Sequence, residues 1–261
     1  MAEYINIKGT NRQVLSSDPS NPTLGQIWYN TTSNTLKGRV LQSSAWATAN
    51  SMTTARRSYG YAGTQTAALA AGGSFPAIAT TEEYGGTSWT TVNSMPASKL
   101  DVGAAGVQTA ALVFGGYNVL NTTEEYDGTN WTGGGNLGTG ARNMAGFGVQ
   151  TAAVSTGGQS TGNPYTSATE EYDGSSWTAG GSLSEQRSRL MGFGTLTAGV
   201  ATGGTNTPGI KNNTEEYNGS SWTSGGNLNT ARKESGSSSG VQTSAIVFGG
   251  LSPATGNVAL T

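Results

Sequence analysis

The chain of 261 residues contains no cysteine and no histidine. The first absence excludes disulfides, thiolate nucleophiles and thiolate metal sites; the second removes the commonest general base and the commonest metal ligand. Charged residues are scarce, at 11% of the chain against a typical ~25%. The formal net charge of −2 is too small, and of the wrong sign, for a chain built to coat nucleic acid. No apolar run approaches the ~20 residues that a membrane helix needs, so membrane insertion is not expected. The opening residues, MAEYINIKGTNRQ, have no apolar stretch of the kind a secretion signal carries. Leu, Ile, Val and Phe together make about 15% of the chain, a share that ordinarily signals disorder. What the chain has in excess is glycine, 41 residues, and a tryptophan periodicity that a disordered chain has no physical reason to keep.

One unit reads GVQTAALVFGG, a variable stretch, then TTEEYDGTNWT. Gly-Gly pairs recur at 72–73, 115–116, 157–158, 203–204 and 249–250. Glu-Glu-Tyr triplets end at Tyr84, Tyr126, Tyr172 and Tyr217, each followed five residues later by Trp89, Trp131, Trp177 and Trp222. Trp46 extends the series backward, because WATANSM matches WTTVNSM. Each unit reads as four short strands between glycine-bearing turns of hairpin length. A four-residue loop places Tyr126 opposite Trp131 and Glu125 opposite Thr132, with the same register in the other units. By alternation, Tyr126 and Glu124 share one face of the sheet and Glu125 lies on the other.

Four-stranded antiparallel units with a period in the forties predict an all-β fold, a five-bladed β-propeller; a β-solenoid would want shorter repeats and parallel strands. The fifth unit, after Gly249-Gly250, has no tryptophan of its own, and Trp46 is left over. The ring is therefore expected to close by N-terminal strands joining the C-terminal blade, which removes the exposed edges. Trp46 fills the outer slot, with Leu41 in the place of Tyr and Arg39 in that of the first Glu; residues 36–41 and 257–261 both compete for the third-strand slot. This divides the chain into an N-terminal arm and hairpin, 1–35, and a propeller, 36–261.

The Gly-Gly pairs and the Tyr/Trp pairs on the last two strands resemble the Kelch repeat over residues 36–261, with a Tyr-to-Trp gap shorter than is usual there. The segment NPTLGQIWYNTTSNTLKG resembles N-terminal modules of tailed-phage tail-fibre and other virion proteins. The resemblances imply a phage virion protein, assembled in the host cytoplasm and needing no secretion signal. Its expected role is structural and adhesive, as tail fibre, spike or capsid decoration. Copper-radical chemistry, known in some Kelch-like proteins, needs Cys and His and is excluded, and no cofactor is expected.

The Glu pairs hold 8 of the 15 acidic residues, but neighbours on a strand point to opposite faces and cannot flank one bond. A basic residue follows each Trp by ten or eleven positions: Arg57, Lys99, Arg142, Arg187 and Arg232. Each is expected to pair with the first Glu of a nearby blade (Glu82, Glu124, Glu170 or Glu215), or to form an anion-binding rim. The connections after each Gly-Gly diverge most, and loops on a rigid scaffold carry recognition. In an up-and-down blade they share a face with the inter-unit connections. This gathers Phe75, Tyr117, Tyr165, Lys211, Arg57 and Arg142 as candidate binding residues for a host surface glycan or a neighbouring virion subunit. The competing expectation is a polysaccharide-active glycosidase using lone carboxylates such as Glu185, Asp101 or Glu234. A repeat protein with no function beyond its fold is the third.

Overall fold

Short runs of small, β-branched and aromatic residues between glycines fold as strands throughout. The structure, a computed structural model, describes residues 13–20, 26–38, 48–234, 237–253 and 256–257, and among them there is no helix. The chain divides into two compact units, Met1–Thr48 and Ala49–Thr261.

In the first unit, β1 (Gln13–Leu15), β2 (Ile27–Asn30) and β3 (Thr35–Gly38) form one sheet. The expected hairpin is β2–β3, with Asn30 opposite Thr35. The parallel pairing of β1 with β2 has no counterpart in the sequence reading. Asp18 ties this sheet together. Its carboxylate accepts Trp28 Nε1 at 3.0 Å and Asn30 Nδ2 at 2.8 Å, and meets Lys37 Nζ at 2.6 Å. Hydrogen bonds from Lys37, Asn30 and Trp28 hold that carboxyl at about 2.

In the second unit, the first sheet is β4 (Gly60–Thr64), β5 (Ala67–Ala71), β6 (Thr81–Tyr84) and β7 (Trp89–Val92). The second is β8 (Gly103–Val107), β9 (Ala110–Phe114), β10 (Thr123–Tyr126) and β11 (Trp131–Gly133). A short pair, β12 (Ala141–Arg142) with β15 (Gln159–Ser160), flanks the third sheet. That sheet is β13 (Ala145–Val149), β14 (Ala152–Thr156), β16 (Thr169–Tyr172) and β17 (Trp177–Ala179). The fourth is β18 (Met191–Thr195), β19 (Ala198–Thr202), β20 (Thr214–Tyr217) and β21 (Trp222–Ser224). The fifth unit contributes the hairpin of β22 (Ser237–Val241) and β23 (Ser244–Phe248). It ends in the pair β24 (Leu251–Ser252) and β25 (Gly256–Asn257). The four-stranded sheets are antiparallel and consistent with propeller blades. Arg39, Leu41 and Trp46 lie outside the described residues, as do 258–261, and so does the expected completion of the fifth sheet.

The hairpin register is the one the four-residue loop dictates. Tyr126 faces Trp131 and Glu125 faces Thr132, and the Tyr/Trp and Glu/Thr pairs recur in the other three sheets. The paired rings stack at centroid distances of 4.7–5.2 Å.

First strands of successive sheets pack side by side, from β4 through β8, β13 and β18 to β22. They approach so closely that a Cβ on Gly146 would lie 2.6 Å from the backbone N and O of Ala104. The hydrophobic core is correspondingly split into layers between sheets. Leu69 of the first sheet meets Val113, Tyr126 and Trp131 of the second; Leu112 and Phe114 of the second meet Tyr172 and Trp177 of the third. Tyr126, Tyr172 and Tyr217 are fully buried.

Polar side chains bolt the layers. Tyr126 donates its hydroxyl to Glu83 at 2.9 Å, Tyr172 donates to Glu125, and Tyr217 to Glu171. In parallel, Trp131, Trp177 and Trp222 donate Nε1 to the hydroxyls of Thr81, Thr123 and Thr169 at 2.9–3.0 Å. Gln108 and Gln150, in the first hairpin turns, each donate to two backbone carbonyls of the preceding sheet. Repetition of Tyr, Trp, Glu and Gln is thus explained by joints between sheets.

The Gly-Gly pairs serve the next connection. The amides of Gly73, Gly116, Gly158 and Gly204 donate to the carbonyls of Lys99, Ala141, Arg187 and Arg232. A Cβ on the preceding glycine, 72, 115, 157 or 203, would lie 2.5–2.7 Å from those same oxygens, and its φ of 64–69° already favours glycine.

Candidate functional site

The connections between sheets carry two rows of residues with different tasks. In the row fixed by the Gly-Gly amides stand Lys99, Ala141, Arg187 and Arg232. Arg187 lies 2.7 Å from Glu215, and Lys99 Nζ 3.8 Å from Glu124. The corresponding partner of Glu82 is Arg56, at 2.5 Å, rather than Arg57. Arg142 is displaced by one residue from this row, which holds Ala141 in the third unit; Glu170 instead accepts the amides of Gly138 at 2.6 Å and Thr139 at 3.1 Å. The ion pairs therefore tie the connections into the first, second and fourth four-stranded sheets, and backbone amides do so at the third. The sequence-based row is corrected at its first and third members. Burial pulls the Lys99 ammonium down to about 8 against the attraction of Glu124, and burial raises the Glu124 carboxyl.

The residues one or two steps further on form the site. Ser58, Asp101, Asn143, Arg189 and Glu234 occupy equivalent places before the first strands, and all five have positive φ, 51–57°. They are linked by backbone hydrogen bonds. The amide of Asp101 donates to Ser58, that of Asn143 to Asp101, that of Arg189 to Asn143, and that of Glu234 to Arg189, at 2.8–3.1 Å. All five border one cavity of about 630 Å³, within the usual size range of small-molecule sites.

Four aromatic side chains share the lining: Tyr59, Tyr61, Phe75 and Tyr117. Phe75 is 67% exposed, Tyr61 47% and Tyr117 39%. Phe75 meets Tyr117 edge-on at 6.3 Å, and the Arg142 guanidinium lies over the Tyr117 ring at 5.3 Å. Burial, and then Tyr61, raise the Tyr59 phenol, which is a neutral donor and acceptor around pH 7. Arg57 lines the same cavity, and among the described residues its guanidinium has no recorded partner.

Four of the six sequence-predicted binding residues are thus brought together: Arg57, Phe75 and Tyr117 in the cavity wall, and Arg142 behind Tyr117. The other two stand outside the lining. Tyr165 is half-buried in its own loop. Lys211 is engaged by Glu185 at 2.7 Å, which lowers the Glu185 carboxyl. Of the carboxylates considered for catalysis, Glu234 contacts Arg189 and Asp101 faces the cavity. Ser58, Asn143, Arg189, Tyr59 and Tyr61 escaped the sequence reading, and Asp101 and Glu234 entered it only as lone carboxylates, because the members of the stepped row share no residue type. Its signal was positional: Ser58, Asp101, Asn143 and Arg189 each precede a first-turn glycine by five residues.

Compared with protein-family models and with curated proteins, the chain matches none.

Proposed function

We propose that this chain is a non-enzymatic adhesive component of a phage particle that binds a host surface glycan through the face carrying the divergent loops. The observation that carries the reading is the gathering of exposed Phe75, Tyr61 and Tyr117 with Arg57 and Asp101 around a single open cavity. Rings flanked by hydrogen-bonding groups are what saccharide recognition requires, one apolar surface and one polar rim. The virion assignment rests on the tail-fibre resemblance of residues 21–38 and the Kelch-like pattern of the repeats. The closed five-bladed form belongs to the same proposal. The stepped hydrogen bonds and the shared cavity support a common centre.

A glycan array probed with the purified chain, and mass spectrometry of purified particles, test the two halves. Binding to a defined set of glycans supports adhesion, and absence of the chain from particles refutes the virion role. One observation favours a second reading, a polysaccharide-active enzyme: Asp101 and Glu234 border the same cavity. Release of reducing ends from a polysaccharide, lost in Asp101→Asn, would establish it.

A further inference from the structure

We infer that the cavity takes the terminal, uncharged pyranose of a glycan, one per chain. The inference deepens the glycan reading above and rests on it. A pyranose offers a face of C–H bonds and a rim of vicinal hydroxyls. The cavity offers two unlike walls to match. All four rings, Tyr59, Tyr61, Phe75 and Tyr117, come from the first and second repeats, which also bring Arg57 and Asp101, whereas the third to fifth add Asn143, Arg189 and Glu234 and no ring. Tyr61 is the telling residue. The equivalent places in the next three units hold Ala104, Gly146 and Gly192, so a single ring projects where the neighbours are small.

The charges of the lining balance, so the cavity offers an anion no net attraction. Arg57 and Arg189 are balanced in the lining by Asp101 and Glu234, and Arg189 is already engaged by Glu234. Asp101 retains a carboxylate with no recorded side-chain partner among the described residues, a planar fork for two adjacent hydroxyls. The stepped row also fixes the stoichiometry. Non-glycine residues in the left-handed region are uncommon and strained, yet all five places keep a side chain, and no two are alike. A binding function repeated by the loops would give several equivalent sites, whereas an unrepeated lining gives one.

The test is saturation-transfer NMR and calorimetry on the full chain with the methyl glycosides of glucose, galactose, mannose and N-acetylglucosamine. Glucuronic acid and sialic acid serve as charged comparators. The expected result is saturable binding of a neutral glycoside at one site per chain, with transfer to its ring C–H protons. Tyr61→Ala places at this position the residue that the second unit has there, and Asp101→Asn the residue of the third, so both are compatible with the fold. Each is expected to weaken binding about ten-fold or more, and Val107→Thr, at the other end of its strand, to leave it unchanged. Several sites per chain, preference for the acidic sugars, or unaltered binding by Tyr61→Ala overturns the inference. If Tyr61→Ala binds normally while Tyr165→Ala or Lys211→Ala does not, the cavity is refuted and the glycan reading stands. If no glycan or glycoside binds, both fall.

Discussion

Arg187 is among the largest fully buried side chains of the described residues, and its replacement by alanine is expected to expose how the connections are held. Its guanidinium donates to Glu215 at 2.7 Å and to the carbonyls of Gly203 at 3.1 Å and Asn213 at 2.8 Å. Besides Arg187, Glu215 accepts the amide of Ser184 at 2.8 Å. Removing the cation leaves a buried carboxylate with that one donor, a situation that costs about 3–5 kcal/mol. In a unit of this size each kcal/mol lowers the melting temperature by about 2–4 °C, so Arg187→Ala is expected to melt roughly 6–20 °C lower. The third unit shows why the penalty belongs to the stranded carboxylate. Ala141 stands at the place of Arg187, and there Glu170 accepts two backbone amides. Arg187→Ala combined with Glu215→Gln is therefore expected to recover more than half of the loss. Urea denaturation followed by circular dichroism measures Arg187→Ala and the double variant, together with Glu215→Gln alone. A loss below about 1 kcal/mol in Arg187→Ala, or additive losses in the double, would refute the reasoning.

Tyr172→Phe removes the hydroxyl donated to Glu125 and is expected to destabilise by about 1.5–3 kcal/mol in the same assay; an unchanged melt means that the joint carries no net energy. Gly157→Ala sets a Cβ 2.7 Å from the Arg187 carbonyl at a φ of 66°, and soluble yield and melting temperature are both expected to fall sharply. Lys99 gives a pH signature. Its ammonium is held at about 8, below the ordinary lysine value of 10.5, so between these values the unfolded chain binds more protons and stability rises with pH. Denaturation at pH 7.5, 8.5 and 9.5 is expected to show this rise, and Lys99→Met to flatten it. Above pH 10 the trend reverses, because burial and their Glu partners hold the Tyr172 and Tyr217 phenols at about 12 and the unfolded chain loses those protons first.

Local arithmetic carried much of the fold into view. A four-residue loop permits one register, so Tyr126 opposite Trp131 followed from counting. Counting failed where the chain is not a strand. The basic residues were aligned by distance from tryptophan, but the connections are registered by carbonyls that meet the Gly-Gly amides. That shift of one residue separates Arg56 from Arg57 and Arg142 from Ala141. The recognition face was legible through divergence of the loops, which brought Phe75 and Tyr117 forward. Its centre was not, because a place defined by backbone angle and stepped hydrogen bonds accepts Ser, Asp, Asn, Arg or Glu and leaves no residue pattern to find.

The joints between sheets carry a consequence for how such a chain changes over generations. The described joints reuse the same donors and acceptors, tyrosine to glutamate and tryptophan to threonine. An exchange of modules would keep these hydrogen bonds and change the loops that differ among the repeats. The fourth module, with Leu196 where its companions have glutamine, is the exception that such shuffling would have to tolerate. The fold thereby separates what must persist from what is free to vary, and diversification of target can proceed by cut-and-join.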